Sequence, residues 1–391
     1  MAVTTSSPDL SAAEAAAFLG VSKATLYAYV SRGMVASAPG PGPSRARRYP
    51  RAALEEFASR RERTRDRGLA AHGALHWGLP VLDSELTLIR DGRCHYRGRE
   101  VVGLSRREPF ERVAALLWTG DPAAADDLFA GVAPSGGAPG GPAPTALAAH
   151  LAAAAADSVV SPSSGAAALL RGAVRVTAGV FAAAGAVGDG PLASRLAHGW
   201  GVPEAVDDID AALVLCADHE LNVSSFTARC VASADASLED VVLAALCALR
   251  GRRHGGLTAR VESMAADADR DGAVAAAARW RGGDGALPGF GHPLYPDGDP
   301  RGAELLRRAG LPPDDPVTVL VGIARDQLGE EPTLDLGLAA LARARRMPPG
   351  AAFHLFALGR CAGWVAHALE TVGDDRLIRP RSRYTGPPPD A

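Results

Sequence analysis

Four segments gather ionisable side chains in a chain that is 47% hydrophobic. They are DHELNVSSFTARC with His219 and Asn222, RGRRHGG with His254, GFGHPLYPDGDPR with His292 and Arg301, and PTLDLGLAAL with Asp335. Two arginine-bearing segments follow, FALGRCAGWVAHAL with Arg360 and RLIRPRSRY with Arg379 and Arg381. Imidazole and carboxylate are the groups that exchange protons near neutral pH, and the guanidinium fork receives a carboxylate bidentately while staying charged. Singly, each has an ordinary explanation: a histidine on an apolar helix is most often a satisfied core residue, and a C-terminal arginine run is usually surface. His219, His254, His292 and Asp335 could also be metal ligands, but separations of 35, 38 and 43 residues contain no local ligand pair. Neither a Walker A loop nor a dinucleotide fingerprint is present.

The elements that must position these residues are mostly helical. From Ala166 onward, Ala/Leu/Val segments alternate with short polar or Gly/Pro breaks, the pattern of packed helices, with no sustained period-two runs. One short hairpin is expected within Leu86 to Val101, turning at Asp91-Gly92. The Ala/Gly/Pro/Ser-rich stretch from Gly120 to Ser164 reads as an insertion between helices, with a helix from Ala146 to Ala156 inside it. Near the N-terminus, Ser11 and Glu14 form a capping-box pattern for a helix from Ala12 to Leu19. Gly20-Val21 makes a turn, and Ser22 caps a second helix from Lys23 to about Val30, whose Leu26 and Val30 should pack on Phe18 and Leu19. A Gly/Pro-rich loop and an amphipathic helix from about Arg51 to Glu62 follow, with nine arginines against four acidic residues between Arg45 and Arg67.

The runs LSAAEAAAFLGVSKATLYAYVSRGMV and RRYPRAALEEF resemble the MerR/excisionase-like helix-turn-helix modules, a small winged fold. If the module binds DNA, Lys23, Thr25 and Tyr29 would face the major groove, with Arg47 and Arg48 on a wing near phosphate. The net charge of −3 restricts any nucleic-acid role to this region. The five cysteines, without a CxxC pair, suit a reducing cytosol, and neither a leader nor a clear membrane span is visible. A soluble, cytoplasmic protein is expected.

From about Gly78 to the C-terminus, the order and wording of the catalytic segments, with YRGREVVGL and FERVAALLWTG upstream, resemble the citrate synthase family, which includes citrate and 2-methylcitrate synthases. The resemblance implies a mainly α fold with a large domain of residues 69–256 and 347–391, a small domain of 257–346, and the helix-turn-helix module in 1–68. It implies condensation of acetyl-CoA, or propionyl-CoA in a methylcitrate version, with oxaloacetate. Asp335 would be the base, His254 the donor to the enol oxygen, and His292 the donor to the oxo-acid carbonyl. His219, Arg301, Arg360 and Arg379 would hold carboxylates. Neither a metal nor a resident cofactor is implied, and a homodimer or higher homo-oligomer is. The chain departs from the family pattern on the CoA side: HGGLT stands for HGGAN, PLYPDG lacks a basic residue, and Gly329-Glu330-Glu331 replaces a lysine-bearing segment; Arg252, Arg253 and Arg260 are candidate replacements for the charge. The competing reading is a regulator that keeps the synthase fold as a citrate or oxaloacetate sensor.

Overall fold

Ser11 and Glu14 form the expected reciprocal cap at the start of α1 (Ala12–Phe18): the Ser11 N–H donates to Glu14 Oε2 at 2.8 Å and the Glu14 N–H to Ser11 Oγ at 3.4 Å. Ser22 caps α2 (Lys23–Ser31) by accepting the Thr25 N–H. These elements come from a computed structural model that describes residues 9–32, 34–40, 46–58, 81–133, 135–136, 143, 145–281, 286–374, 376–382 and 384–387. The chain divides into two units, Met1–Asp83 and Ser84–Ala391.

In the first unit a two-residue antiparallel ladder, β1 (Ala38–Pro39) with β2 (Arg47–Arg48), forms the wing, and residues 51–58 form α3. Ala15, Ala16, Leu19, Leu26, Val35, Tyr49, Leu54 and Phe57 make its core. Two expectations are corrected here. Phe18 does not join this core: it is 38% exposed, beneath the Arg51 guanidinium. Tyr29 turns inward to pack on Phe57, ring centroids 5.1 Å apart, and its neighbour Tyr27 is the exposed ring. The expected continuation of α3 to Glu62, the boundary at 68 and the arginines from 60 to 67 lie outside the described residues.

The second unit begins with the expected hairpin, β3 (Thr87–Arg90) paired antiparallel with β4 (Arg93–Tyr96), and β5 (Arg99–Glu100) adds a third strand. Asp91 and Gly92 both have positive φ, 52° and 67°, the backbone that a two-residue turn needs to match strand twist. Apart from a two-residue antiparallel ladder between β6 (Ser135–Gly136) and β7 (Val187–Gly188), the regular elements that follow are helices: α4 Val101–Ser105, α5 Phe110–Thr119, α6 Ala125–Leu128, α7 Ala146–Ala155, α8 Ala166–Ala183, α9 Leu192–Gly199, α10 Val206–Cys216, α11 Val223–Ser233 and α12 Leu238–Leu249. Then come α13 Leu257–Asp271, α14 Ala273–Trp280, α15 Pro300–Ala309, α16 Pro316–Leu328, α17 Leu334–Ala344 and α18 Ala351–Leu369.

Helix α18 is buried almost throughout and packs on α5, α8, α10, α11, α12 and α17, which is why a sequence of small and apolar residues runs its whole length. Helix α7 forms in the expected insertion, and Phe129, just after α6, stacks on Trp118 at 5.8 Å. Helix α8 is long and apolar enough to cross a membrane by composition, but Leu169, Ala173, Val176, Val180 and Phe181 lie in the core and Arg175 pairs with Glu239.

Candidate active site

Asp299 and Arg301 open α15. The Asp299 carboxylate caps the helix through the Arg301 N–H at 3.0 Å and grips the Arg301 guanidinium with two bonds, Nε to Oδ1 at 3.0 Å and Nη2 to Oδ2 at 2.8 Å. Both residues are 2% exposed. Burial opposes both charges, but each holds the other: Asp299 stays below its ordinary carboxylate range and Arg301 rises well above its own. Arg360 lies in the middle of α18, 1% exposed, with Nε donating to the Cys216 carbonyl at 2.7 Å and the guanidinium over Phe356. Burial lowers its pKa, against the pull of Asp218. The Nη1 atoms of both arginines are buried without a hydrogen-bond partner. Buried charged donors are ordinarily satisfied, so two such atoms suit an incoming anion.

His219 and His292 stand edge to face, ring centroids 5.4 Å apart, with Tyr295 against both. Burial, then Arg301, pushes His292 down to about 4, so the ring is neutral. Its Nδ1 accepts the Leu294 N–H at 3.1 Å, which places the ring proton on Nε2 and makes that nitrogen a donor. His219 is held neutral by burial and by Arg301, Arg360, His292 and His254 around it.

Asp335 sits in the first turn of α17, and the adjacent Leu334 N–H donates to Asp299 Oδ2 at 3.2 Å, tying the two helix starts together. Its Oδ1 is buried without a partner. Burial, with Asp299 adding to it and Arg301 opposing, raises the carboxyl to about 7, a base strength suited to proton abstraction at neutral pH. His254, between α12 and α13, meets Phe356 edge-on at 5.9 Å and is pushed down to about 3 by burial and Arg360. Its Nε2 lies 3.0 Å from Ser224 Oγ. Ser224 accepts from Trp364 Nε1 and has one proton for two acceptors, Asn222 Oδ1 at 2.7 Å and His254 Nε2. Asn222 Oδ1 already accepts the Ser224 and Ser225 N–H groups, so the hydroxyl proton is free to turn to His254, and the neutral ring then offers Nδ1–H as a donor.

The fold thus gathers six of the seven sequence candidates: His219, His254, His292, Arg301, Asp335 and Arg360. Arg379 stands apart, exposed on the segment after α18, and no hydrogen bond or ion pair among the described residues joins it to the six. Asp299, Tyr295 and Ser224 escape the sequence reading. Asp299 alone left a signal, as a capping-type residue ahead of Pro300. Among the described residues no three of His, Cys, Asp and Glu form a group that could hold a metal ion. Glu331 pairs with Arg325, Glu330 has a buried, unpartnered Oε2, and Arg260 lies over Trp280. In the first unit, Lys23 and Arg47 are exposed, whereas Thr25 bonds Ser22 and Arg48 reaches the Asp9 carbonyl at 3.4 Å.

Residues 182–381, just over half of the chain, match the family model of the citrate synthase C-terminal domain, and residues 10–62 match that of a helix-turn-helix domain. The citrate synthase of Haloferax volcanii is 36% identical over 191 residues, covering 46% of this chain and 50% of that protein. Citrate synthase 2 of Bacillus subtilis is 32% identical over 199 residues (47% and 52%), and 2-methylcitrate synthase 2 of Corynebacterium glutamicum 31% over 204 (47% and 50%). The chain thus matches about half the length of these curated relatives. In fold it is similar to the citrate synthase of Thermotoga maritima, with a TM-score of 0.64, 24% identity and coverage of 79% of this chain and 94% of that one. It is also similar to the Thermoplasma acidophilum enzyme, solved as a ternary complex with carboxymethyl coenzyme A and oxaloacetate, with a TM-score of 0.66, 23% identity and coverage of 83% and 97%. The family match and these relatives together show that the chain belongs to the citrate synthase family and carries a helix-turn-helix domain ahead of that region.

Proposed function

We propose that the chain condenses acetyl-CoA with oxaloacetate and water to give citrate and CoA. The observation that carries this reading is the set of three buried polar atoms without partners, Asp335 Oδ1 and the Nη1 atoms of Arg301 and Arg360, beside two histidines held neutral. Asp335 takes a proton from the thioester methyl while His254 donates a hydrogen bond to the enolate oxygen. The new carbanion carbon bonds to the oxo carbon, His292 Nε2–H supplies the proton to the resulting alkoxide, and water then cleaves the thioester to release CoA. Arg301, Arg360 and His219 hold the oxo acid's carboxylates. Closure of a small lobe over a large one, a cytoplasmic homodimer and a place for Arg379 in the complete site belong to the same proposal.

Thiol release by the purified protein, with oxaloacetate and either acetyl-CoA or propionyl-CoA, tests it beside Asp335→Ala. Release that needs both substrates and vanishes in the variant supports the synthase, and the faster donor separates a citrate from a 2-methylcitrate synthase. A second reading rests on the exposed Lys23, Tyr27 and Arg47 of the first unit and the acidic Glu330 and Glu331. It is a DNA-binding sensor of oxaloacetate or citrate, which would bind those acids tightly without releasing thiol.

A further inference from the structure

Tyr295 is 2% exposed and ends the turn that follows His292: its N–H donates to the His292 carbonyl at 2.9 Å and its own carbonyl accepts the Gly298 N–H at 3.0 Å. The ring fills the space between three groups of the site, 5.6 Å from His219 and 5.2 Å from His292 by centroids, with Cζ of Arg301 5.3 Å from its centre. Its hydroxyl meets His219 Nε2 at 2.9 Å. The Cys94 sulfur, on β4, is an electrostatic neighbour of the same hydroxyl.

The protons of this cluster can be counted. Neutral His219 carries one ring proton. Burial keeps the Tyr295 phenol protonated, so it has one proton to give. The acceptors beside it are an imidazole nitrogen and a sulfur, and sulfur is the weaker of the two by far. The phenol therefore donates to His219 Nε2, and the ring proton of His219 is left on Nδ1. We propose that Tyr295 is a positioning residue that sets the tautomer of His219, so that an uncharged histidine presents Nδ1–H to a carboxylate of the substrate. The opposite tautomer would present a lone pair, which repels a carboxylate. The identity of that carboxylate rests on the proposed function; the arrangement of protons does not.

The full-length protein labelled with nitrogen-15 histidine tests this, as wild type and as Tyr295→Phe, with His219→Gln to assign the resonance. Phenylalanine keeps the ring contacts and deletes only the hydroxyl. Nitrogen shifts distinguish the two tautomers directly. The expected result is Nδ1–H in the wild type and a mixed or reversed tautomer in Tyr295→Phe. Oxaloacetate binding by calorimetry should weaken about 5- to 20-fold in that variant, with thiol release at saturating oxaloacetate changed less than about twofold. Nε2–H in the wild type, an unchanged tautomer in the variant, or a changed tautomer with unchanged oxaloacetate affinity each overturns the proposal. Should Tyr295→Phe fail to fold, the wild-type nitrogen spectrum decides alone. A wild type that binds no oxaloacetate defeats the proposed function instead, and the nitrogen spectra still decide the tautomer.

Discussion

Burial and the neighbouring Asp299 both oppose the charge on Asp335 and raise its carboxyl to about 7. The folded protein therefore holds this proton more tightly than the unfolded chain does. Its contribution to stability is fully present below the ordinary value of 3.8 and is lost as pH rises through about 7, a difference on the order of 4 kcal/mol at full ionisation. Asp335→Asn should melt with the wild type below pH 4 and increasingly above it from pH 4 to 8, as read by calorimetry across pH; a constant difference would show that the carboxyl is not perturbed. The same group should give kcat/KM a limb that rises with pH through about 7, because the base must be ionised to work. Histidines at about 3 and 4 add no limb near neutrality. Arg360→Leu removes a buried donor and should weaken oxaloacetate binding about 10- to 100-fold, measured by calorimetry; unchanged affinity would take Arg360 out of the site.

The elements bring the two halves of the site together through glycine. A Cβ on Gly302 of α15 would lie 2.5 Å from the Thr333 carbonyl, at the start of α17, so the two helices meet at a distance that only glycine permits. Asp299 bridges the same junction by capping α15 and accepting the Leu334 N–H. Gly302→Ala should force Asp335 away from Arg301, lowering stability by about 1–3 kcal/mol and impairing thiol release by more than the stability loss explains. Gly322, on α16, has open space where a methyl group would sit, with no atom within 4 Å, and Gly322→Ala should instead raise stability by about 0.5–1 kcal/mol with activity unchanged. Paired melting and activity measurements separate the two cases. At this scale much was legible, because capping residues and turn glycines act locally. The capping box at Ser11, the Asp91-Gly92 turn and α7 all follow from neighbours in sequence. The inward turn of Tyr29 was not, since which face of α2 is covered depends on where α3 packs.

Among the described residues there are two hydrophobic cores, one of them small. Leu26 is fully buried in the small one. Leu26→Ala should lower the stability of the first unit by about 2–5 kcal/mol and leave the melting of the second unchanged, seen as movement of only one calorimetric transition. The helical class and the helix-turn-helix signature were determined by the sequence, because capping and periodicity are local or additive properties, whereas the candidate site residues were singled out by the resemblance of their segments to a family. Their convergence was decided only by the tertiary structure. His219 and Asp335 are far apart along the chain, and nothing in their spacing states that they share Arg301 and Arg360 as electrostatic neighbours. Nor does it show that burial holds the histidines neutral while raising the aspartate. Proton positions, partnerless guanidinium nitrogens and raised carboxyl groups are consequences of packing, and packing exists only once the helices meet.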